Sequence, residues 1–475
     1  MTQAGNMQFT KTDFIQYLNC PKSLWLLKRA PENYPHGEFS AFMQKLVREG
    51  YEVERYVRQF FEDAGDRAVT FQRVFETEDG LFARADAVEV TGNGETVLFE
   101  IKSSTSVKTD NQHNHVKDAC FQKVCAERAG QRIDRVYLLH LNGEYVRAGD
   151  VAPEELLVFA DVTDQVDGIS AETVAEIDEA LAFLANEIDR NGCSCVELSR
   201  GNHCDTFTLF NPGVPTPSIY SLPRLSAKKR SDFLTKGVLA LDAVADDYPL
   251  SESQRLVVQA AKSGEPQINS AGVRAFLSRL TFPLYFFDYE TYASAVPLVD
   301  GASPHKHFPV QYSLHILEED GTLAHREYLA REARMPLGLI EQMQADIGSE
   351  GSIVSWHASF EKMCNREMAR NFPDKADFLN DLNDRMVDLE DVFKADYVDA
   401  RFDGSTSIKK VLPVLCPDLD YSDLDVQDGS SAMEAWERML NAEPQEAERV
   451  AQSLLSYCDR DTFAMVEIYR FLSGI

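Results

Sequence analysis

An apolar run at residues 284–287, which leads into Asp288 and then Glu290, limits the fold more than any other part of the sequence. Such a run predicts a strand, and because alternate side chains of a strand share a face, Asp288 and Glu290 point the same way. Tyr457 and Asp461 are four residues apart in a predicted helix and share a face as well. The sequence therefore predicts an acidic cluster that combines one strand with one helix.

An acidic cluster of this kind needs a counter-charge. Two carboxylates about 4 Å apart at an effective dielectric of about 20 repel each other by roughly 4 kcal/mol, so they are hard to hold together without a cation. Ligand sets made only of oxygen favour magnesium or manganese. We therefore expect Mg²⁺ or Mn²⁺ as a cofactor.

Length and composition favour a multidomain protein of the cytoplasm. The 475 residues are enough for two or three domains, and a hydrophobic content of 44% argues against disorder. Apolar stretches fall short of the roughly 18 residues that cross a bilayer, and residues 1–12 are too polar for a signal peptide. We expect a cytoplasmic protein with no membrane partner.

The formal net charge of −30 argues against loose coating of nucleic acid, because phosphate binding normally requires a basic surface. It leaves room for a nuclease, whose acidic sites bind divalent cations. Local groups of basic residues are candidates for phosphate contact, although each of them is also typical of a solvated face. These groups are residues 228–230, Lys409 with Lys410, and Lys22 with Lys28 and Arg29.

The pattern of predicted elements divides the chain into three segments. Residues 1–210 mix strands with helices and predict an α/β domain. Its longest predicted helix spans residues 171–190 and ends at a cap formed by Asn191 and Gly192. Residues 211–280 begin with closely spaced prolines and predict a connector with bridging helices, at 231–246 and 252–262. Residues 281–475 again alternate strands and helices and predict a second α/β domain.

The first segment carries an acidic constellation of its own. Glu100 and Lys102 share one face of a predicted strand, and Asp86 ends a strand just upstream. Two carboxylates can hold a divalent ion, while the ammonium group can orient a water and offset charge on a scissile phosphate. A Glu-x-Lys pair by itself is more often a solvated cross-strand pair, so the context decides between the two interpretations.

That context resembles the PD-(D/E)xK nuclease signature. Asp86 and the Glu100-x-Lys102 pair match its acidic and basic positions, and Gln122 matches the glutamine that RecB-like members carry on the next helix. Ala126 stands where those members have a tyrosine. The resemblance implies a restriction-endonuclease-like fold with a metal-dependent nuclease site.

Four cysteines form a candidate metal centre. Cys193, Cys195 and Cys204 lie within twelve residues. A metal that also bound the remote Cys20 would join the two ends of the domain. The pattern resembles the iron–sulfur RecB-like nucleases, including the CRISPR-associated exonuclease, in which one N-terminal and three C-terminal cysteines hold a 4Fe-4S cluster. The Cys-x-Cys-x8-Cys spacing differs from the commoner form of that family, so zinc remains the alternative. The other cysteines are expected to be ordinary thiols: Cys120, Cys125, Cys364, Cys416 and Cys458.

The acidic residues of the last segment resemble those of the DEDD exonucleases of RNase H-like fold, in the subgroup with a tyrosine in the last motif. The resemblance implies that four carboxylates hold two metal ions and that Tyr457 positions the attacking water. The four carboxylates are those of Asp288, Glu290, Glu361 and Asp461.

Two details of this resemblance concern single segments of the chain. Glu361 takes the place of the usual aspartate and is one methylene longer, and Asp388 is the spare candidate for that position. Residues 404–410 resemble a segment that these exonucleases place near the substrate, although a loop leading into a helix can also be a simple cap.

The chain as a whole resembles an uncharacterised bacterial family that joins a RecB-like, cysteine-bearing nuclease domain to a DEDD-type exonuclease domain. The leading hypothesis is a metal-dependent nuclease with two active sites, acting on DNA or RNA ends or single strands in repair, processing or defence, with 3′–5′ exonuclease activity in the second domain. The alternatives are a nucleic-acid-binding or scaffolding protein with one or both sites inactive, and a redox- or iron-responsive regulator. The chain has no phosphate-binding Gly-Lys-Ser or Gly-Lys-Thr loop, so any unwinding requires a helicase partner.

Overall fold

The computed structural model of the protein describes residues 8–37, 40–65, 67–110 and 113–475. The chain forms two compact units of mixed α/β structure. The first unit comprises residues 1–213 with two short segments at 294–297 and 303–305, and the second comprises the remaining residues from 214 to 475. The division between residues 213 and 214 falls inside the proline-rich stretch of the predicted connector.

The first unit is built on one six-stranded sheet. Its strands are β1 (Phe9–Thr10), β2 (Ala68–Glu76), β3 (Leu81–Val90), β4 (Thr96–Ile101), β5 (Arg135–Leu141) and β6 (Leu157–Asp161). Its helices are α1 (Lys11–Asn19), α2 (Pro21–Arg29), α3 (Ala41–Asp63), α4 (His115–Arg128), α5 (Pro153–Leu156), α6 (Thr163–Ala185) and α7 (Phe207–Phe210).

Strand β4 lies inside this sheet, antiparallel to β3 and parallel to β5. Its side chains are buried from Thr96 to Glu100, as expected for a strand that is covered on both faces. Helix α4 connects β4 to the parallel strand β5 and is buried along most of its length, against β3 and α6. The Asn114 side chain accepts a hydrogen bond from Lys117 N and caps the start of α4. This arrangement fixes α4 beside the end of β4.

The second unit contains a five-stranded sheet and a short two-stranded sheet. Its strands are β7 (Gln267–Ile268), β8 (Leu284–Tyr292), β9 (Phe308–Leu317), β10 (Leu323–Leu329), β11 (Ser352–Ser355), β12 (Met386–Asp388) and β13 (Tyr397–Val398). Its helices are α8 (Ala227–Thr235), α9 (Glu252–Ser263), α10 (Ser270–Leu277), α11 (Leu337–Asp346), α12 (Ser359–Asn371), α13 (Ala376–Arg385), α14 (Asp391–Ala395), α15 (Ile408–Leu415), α16 (Gly429–Asn441) and α17 (Pro444–Ser473).

Strand β8 is the centre of the larger sheet, whose order is β10-β9-β8-β11-β12. The pairs β10–β9 and β9–β8 are antiparallel, whereas β8–β11 and β11–β12 are parallel. Leu284 and Phe286 enter the core on one face, and Tyr285 and Phe287 enter a separate core on the other face. The apolar run at 284–287 is therefore explained by burial on both sides. Helix α17 lies against β8 and β9.

Two helices differ from the sequence prediction. The helix predicted at 171–190 begins at Thr163 and ends at Ala185, so the predicted cap at Asn191 is wrong. Asn186 leaves the helical conformation, and its side-chain amide donates to the carbonyl oxygen of Ala182 in the last turn, which ends the helix there.

The helix predicted at 231–246 lies earlier in the chain than predicted. It begins at Ala227, after the capping residue Ser226, and ends at Thr235. Gly237 then takes a φ of +68°, a left-handed conformation that stops a helix.

Among the described residues, helices long enough to span a bilayer are too polar to do so.

We expect Phe286→Ala to lower the free energy of unfolding by about 3–5 kcal/mol, because it leaves a cavity in the core beneath the sheet. Phe286 is fully buried, at 0% exposure, whereas the control Phe471→Ala removes a ring that is 36% exposed. Urea denaturation followed by circular dichroism measures both changes. Equal losses of stability in the two variants would contradict the described packing of β8.

Candidate active sites and metal centre

The first acidic constellation lies at the end of β4. Glu100 is almost fully buried. Its Oε1 atom accepts a hydrogen bond from Lys11 Nζ at 2.5 Å and forms an ion pair with Lys102 Nζ at 2.9 Å. Gln122 on α4 donates its amide N–H to Glu100 Oε2. Asp86 on β3 accepts a hydrogen bond from Ile101 N at 2.8 Å. The structure therefore brings Glu100, Lys102 and Gln122 together and places Asp86 on the neighbouring strand.

The two carboxylates of this constellation have opposite electrostatic environments. Burial and, after it, the charge of Glu100 together raise the pKa of Asp86 to about 7. Burial alone would also raise the pKa of Glu100, but Lys102 and Lys11 outweigh it and lower that pKa to about 2. Glu100 is therefore an ionised carboxylate held by two ammonium groups.

Lys102 is held on both sides by carboxylates. Its Nζ atom forms an ion pair with Asp118 of α4 as well as with Glu100. Burial would lower the pKa of Lys102, but these two carboxylates raise it above its ordinary value. The ammonium group is therefore charged and fixed in position, which is what the stabilisation of a developing negative charge requires.

The four predicted cysteines come together in the first unit. The sulfur atoms of Cys20, Cys193, Cys195 and Cys204 all lie within 4.8 Å of one another, and Cys193 Sγ and Cys204 Sγ are 3.9 Å apart. Cys20 separates α1 from α2, while the other three belong to the segment after α6. The sequence prediction that a remote Cys20 joins the C-terminal three is confirmed.

The chemistry of this cysteine centre fits a metal. A tetrahedral ion with metal–sulfur bonds of about 2.3 Å separates its sulfurs by about 3.8 Å, close to the spacing seen here. Hydrogen bonds from the Cys20 thiol and other neighbours lower the pKa of Cys204 to about 5, although burial opposes them. Asn211 Nδ2 also donates to Cys193 Sγ at 3.3 Å. Four converging sulfurs, one of them readily ionised, therefore make a ligand set for a metal.

A cavity of about 620 Å³ runs between the cysteine centre and the first acidic constellation. Its lining includes Lys11 and Lys102 from the acidic constellation, and Cys20 and Cys204 from the cysteine centre. The cavity therefore gives a ligand access to both groups within one unit.

The second acidic constellation lies on β8. Carboxylate oxygens of Asp288 and Glu290 and the sulfur of Cys458 lie within 4.8 Å of one another. Burial raises the pKa of Asp288 well above its ordinary value, and the charges of Asp461, Glu290 and Glu361 raise it further. Burial and Asp461 likewise raise the pKa of Glu290. These carboxylates are therefore close enough to repel one another strongly.

Helix α17 brings Asp461 and Tyr457 to this cluster. Asp461 Oδ1 accepts a hydrogen bond from Tyr421 OH at 2.6 Å. Lys409 Nζ donates to Tyr457 OH at 3.0 Å. Burial and the nearby carboxylates raise the pKa of Tyr457 well above its ordinary value, so its hydroxyl keeps its proton. Lys409 therefore supplies a positive charge next to Tyr457, the tyrosine predicted to belong to the site.

Glu361 acts electrostatically on Asp288 and Glu290, and Asp388 in turn lies near Glu361. Glu361 on α12 is 3% exposed, and its Oε2 atom has no hydrogen-bond partner among the described residues. Burial raises the pKa of Glu361 to about 8. Asp388 Oδ1 is engaged elsewhere, since it accepts hydrogen bonds from His357 N and Glu390 N. A buried carboxylate oxygen without a partner is a suitable ligand for a cation.

Several residues of these sites escaped the sequence analysis. Lys11 and Asp118 complete the first constellation, and Tyr421 holds Asp461 in the second. Cys458, predicted to be an ordinary thiol, contacts Asp288 Oδ2 at 3.9 Å. Its position next to Tyr457 is the signal in the sequence that would have identified it.

The other basic candidates have structural partners. Lys22 Nζ donates to the carbonyl oxygen of Gly192, and Lys28 pairs with Asp13. Lys229 Nζ donates to Gln254 Oε1. Of the basic groups predicted from the sequence, the one containing Lys409 therefore supplies a residue to an acidic constellation.

Comparison with known proteins relates this chain to sequences without an assigned activity. Residues 285–407 match a domain of unknown function, DUF2779. A Mycoplasma pneumoniae protein named "Uncharacterized protein MG366 homolog" is 29% identical over 215 residues, which cover 39% of this chain and 32% of the relative. "Uncharacterized protein MG366" of Mycoplasma genitalium is 27% identical over 214 residues, covering 40% of this chain and 32% of the relative. The chain thus spans about a third of the length of these curated relatives.

The matched domain includes Asp288, Glu290 and Glu361 and stops before Tyr457 and Asp461. It therefore covers the part of the second unit that contributes the first three acids. The names of the relatives describe no function, so a function has to be argued from the geometry.

We expect Mn²⁺ to raise the melting temperature of the wild-type protein, because a bound cation offsets the repulsion among the buried carboxylates. In EDTA, at a pH above the raised pKa values of these acids, Asp288→Asn should melt about 2–4 °C above the wild type, since it removes one of the repelling charges. The same variant should lose most of the Mn²⁺-dependent shift.

Glu350→Gln is the matched control, because it neutralises an exposed carboxylate of the same unit. Differential scanning fluorimetry measures all three proteins. An Mn²⁺ shift that is equal in Asp288→Asn and the wild type would contradict cation binding at this cluster.

Proposed function

We propose that the protein is a metal-dependent nuclease that hydrolyses phosphodiester bonds of DNA or RNA from their ends. The observation that carries this proposal is the buried cluster of acids on β8, α12 and α17, with Lys409 and Tyr457 beside it. Charged groups are seldom buried together unless a cation or a reaction requires it. The sheet order β10-β9-β8-β11-β12 supports the RNase H-like fold that the sequence resemblance implies.

The chemistry of the second unit follows from the groups present. Asp288, Glu290, Glu361 and Asp461 would hold Mg²⁺ or Mn²⁺, which would activate water and stabilise the leaving oxygen when bound. Tyr457 accepts a hydrogen bond from Lys409 and directs its own proton to Asp461, so it would hold that metal ligand in place beside the attacking water.

Lys409 has a role that does not depend on the metal. Its ammonium group lies 3.0 Å from the Tyr457 hydroxyl and stacks over the Tyr421 ring as well. A fixed positive charge at this position attracts a phosphate to an otherwise acidic cluster. In this proposal, the local positive charge offsets part of the repulsion that a chain with a net charge of −30 exerts on nucleic acid.

The first unit supplies the second proposed active site. Asp86 and Glu100 are its metal ligands, Lys102 is the group that offsets charge on the phosphate, and Gln122 positions Glu100. The Oε1 atom of Gln122 is buried and has no hydrogen-bond partner among the described residues, which suits a site completed by a further ligand.

The first unit also gives support to an alternative function, in which it binds nucleic acid without cleaving it. Lys11 and Lys102 already neutralise Glu100, which reduces the need for a metal ion there. Ala126 replaces the tyrosine of the RecB-like nucleases. In this alternative, the second unit alone performs hydrolysis and the first unit holds the strand.

We expect the wild-type protein to shorten end-labelled single strands in the presence of Mg²⁺ or Mn²⁺ and to be inactive in EDTA. Asp288→Asn should lower the rate on the order of 100-fold, because it removes a ligand and a charge from the site. Glu100→Gln separates the two functions of the first unit. It lowers cleavage if that site is catalytic. If the site only binds, cleavage is unchanged and retention of the strand in a gel-shift assay becomes stronger, because Lys11 and Lys102 lose the carboxylate that neutralises them.

Substrates labelled at the 5′ end and at the 3′ end show the polarity, and parallel DNA and RNA strands show the preference. Glu350→Gln controls for the loss of one surface charge. Wild-type rates in both Asp288→Asn and Glu100→Gln would remove the nuclease assignment.

We propose that the cysteine centre binds a metal. The sequence resemblance implies a 4Fe-4S cluster, whereas the spacing of the sulfur atoms favours a single zinc ion. A cubane cluster places its cysteine sulfurs on four separate irons, and therefore spreads them more widely than one ion does. Sulfurs within 4.8 Å of one another support the single ion.

Purification without oxygen, followed by metal analysis and visible spectroscopy, decides between the two. An iron–sulfur cluster gives a brown protein with iron and sulfide, whereas zinc gives a colourless one with about one ion at this centre. Cys193→Ser should lose this metal, and Cys416→Ser, which alters a half-buried thiol outside the centre, should keep it. Equal metal contents in these two variants would contradict ligation by the cysteines.

A further inference from the structure

A second group of metal-ligating side chains lies in the second unit, apart from the acidic cluster. His315 on β9 and His325 on β10 are direct partners across the strand pair, and their rings stack with centroids 4.5 Å apart. Asp459 on α17 completes the group, and one ligand atom from each residue lies within 4.8 Å of the others. His315 is buried, and His325 and Asp459 are half-buried. Three different elements therefore bring nitrogen and oxygen donors to one point.

The distances in this group fit a single small ion. His325 Nε2 and Asp459 Oδ1 are 3.3 Å apart, and His315 Nε2 and Asp459 Oδ1 are 3.6 Å apart. A tetrahedral ion with bonds of about 2.0–2.1 Å separates two of its ligand atoms by about 3.3–3.4 Å. The three atoms are therefore spaced as ligands of one ion.

Further contacts orient the two rings. His315 Nδ1 lies 2.9 Å from Thr462 Oγ1, which leaves Nε2 as the nitrogen that faces Asp459. Ser313 Oγ lies 2.9 Å from His325 Nε2 and 2.7 Å from Thr462 Oγ1. Metal-binding histidines are typically held through their second nitrogen, as His315 is held by Thr462. The Ser313 contact of His325 is made by Nε2 itself, so it would be exchanged for the ion.

We propose that His315, His325 and Asp459 bind a divalent transition-metal ion, of which Zn²⁺ is the best fit. Two imidazoles and one carboxylate suit zinc better than magnesium, which prefers oxygen ligands. A tetrahedral zinc held by these three residues would take its fourth ligand from water. This zinc site is distinct from the cysteine centre and from the acidic cluster of β8.

The position of Asp459 gives the ion a structural effect. Asp459 lies between Tyr457 and Asp461 on α17, about half a helical turn from each. An ion on Asp459 and the two histidines ties the middle of α17 to β9 and β10. The ion would thereby hold α17, which carries Tyr457 and Asp461, against the sheet through the face of the helix that bears Asp459.

The test measures zinc retained by the full-length protein after equilibration with Zn²⁺ and gel filtration. His325→Ala and Asp459→Asn should each retain one zinc per chain less than the wild type. Arg326→Ala, which alters the neighbouring exposed side chain of the same strand, should retain the wild-type amount. Asp288→Asn should keep this ion, which separates the inference from the proposed nuclease site.

A crystal grown with Zn²⁺ and measured at the zinc absorption edge should show an anomalous peak between the three residues. Circular dichroism reports whether His325→Ala folds, and where it does not, Asp459→Asn, which keeps the size of the side chain, decides the result. Equal zinc contents in the wild type and Asp459→Asn, or the lack of a peak at this position, would overturn the inference.

Discussion

Repulsion among buried carboxylates is the constraint on which the second unit depends. Asp288 and Glu290 belong to the central strand of the sheet, whose apolar side chains fill cores on both faces. The strand cannot move to relieve the repulsion without opening one of these cores. Packing therefore holds the acids in place, at a cost in stability that is typical of functional sites. The hydrogen bond from Tyr421 and the charge of Lys409 lower the pKa of Asp461, but burial outweighs them.

The charge of a buried carboxyl group is compensated differently in the two units. In the first unit, lysines from two separate elements hold Glu100 in its ionised form, so the protein itself supplies the counter-charge. In the second unit, burial and neighbouring acids raise the pKa values of Asp288 and Glu290, so these acids bind protons unless a cation from outside the chain supplies the counter-charge. The second unit should therefore depend far more on divalent cations than the first. This difference is also why the second unit carries the stronger case for hydrolysis.

The sequence predicted the parts of the sites that are local. The strand at 284–287, the pairing of Glu100 with Lys102 and the four-residue spacing of Tyr457 and Asp461 all follow from periodicity within one element. Lys11 could not be found in this way, because 89 residues separate it from Glu100 and no local pattern marks it. Tyr421 was missed for the same reason, since it reaches Asp461 from a loop 40 residues away. The C-terminal ends of α6 and α8 differ from the prediction because the cap at Asn186 and a left-handed glycine, rather than hydrophobic periodicity, set them.

The cysteine centre and the first acidic constellation are connected by one short helix. Lys11 is the first residue of α1, and Cys20 follows its last residue directly. A helix of nine residues is a rigid rod of about 13 Å, so a metal that fixes Cys20 also fixes the end from which Lys11 reaches Glu100. Lys11 in turn helps to lower the pKa of Glu100. The position of the Lys11 ammonium group beside Glu100 is therefore connected through α1 to the position of Cys20, although Lys11 and Glu100 are far apart in the sequence.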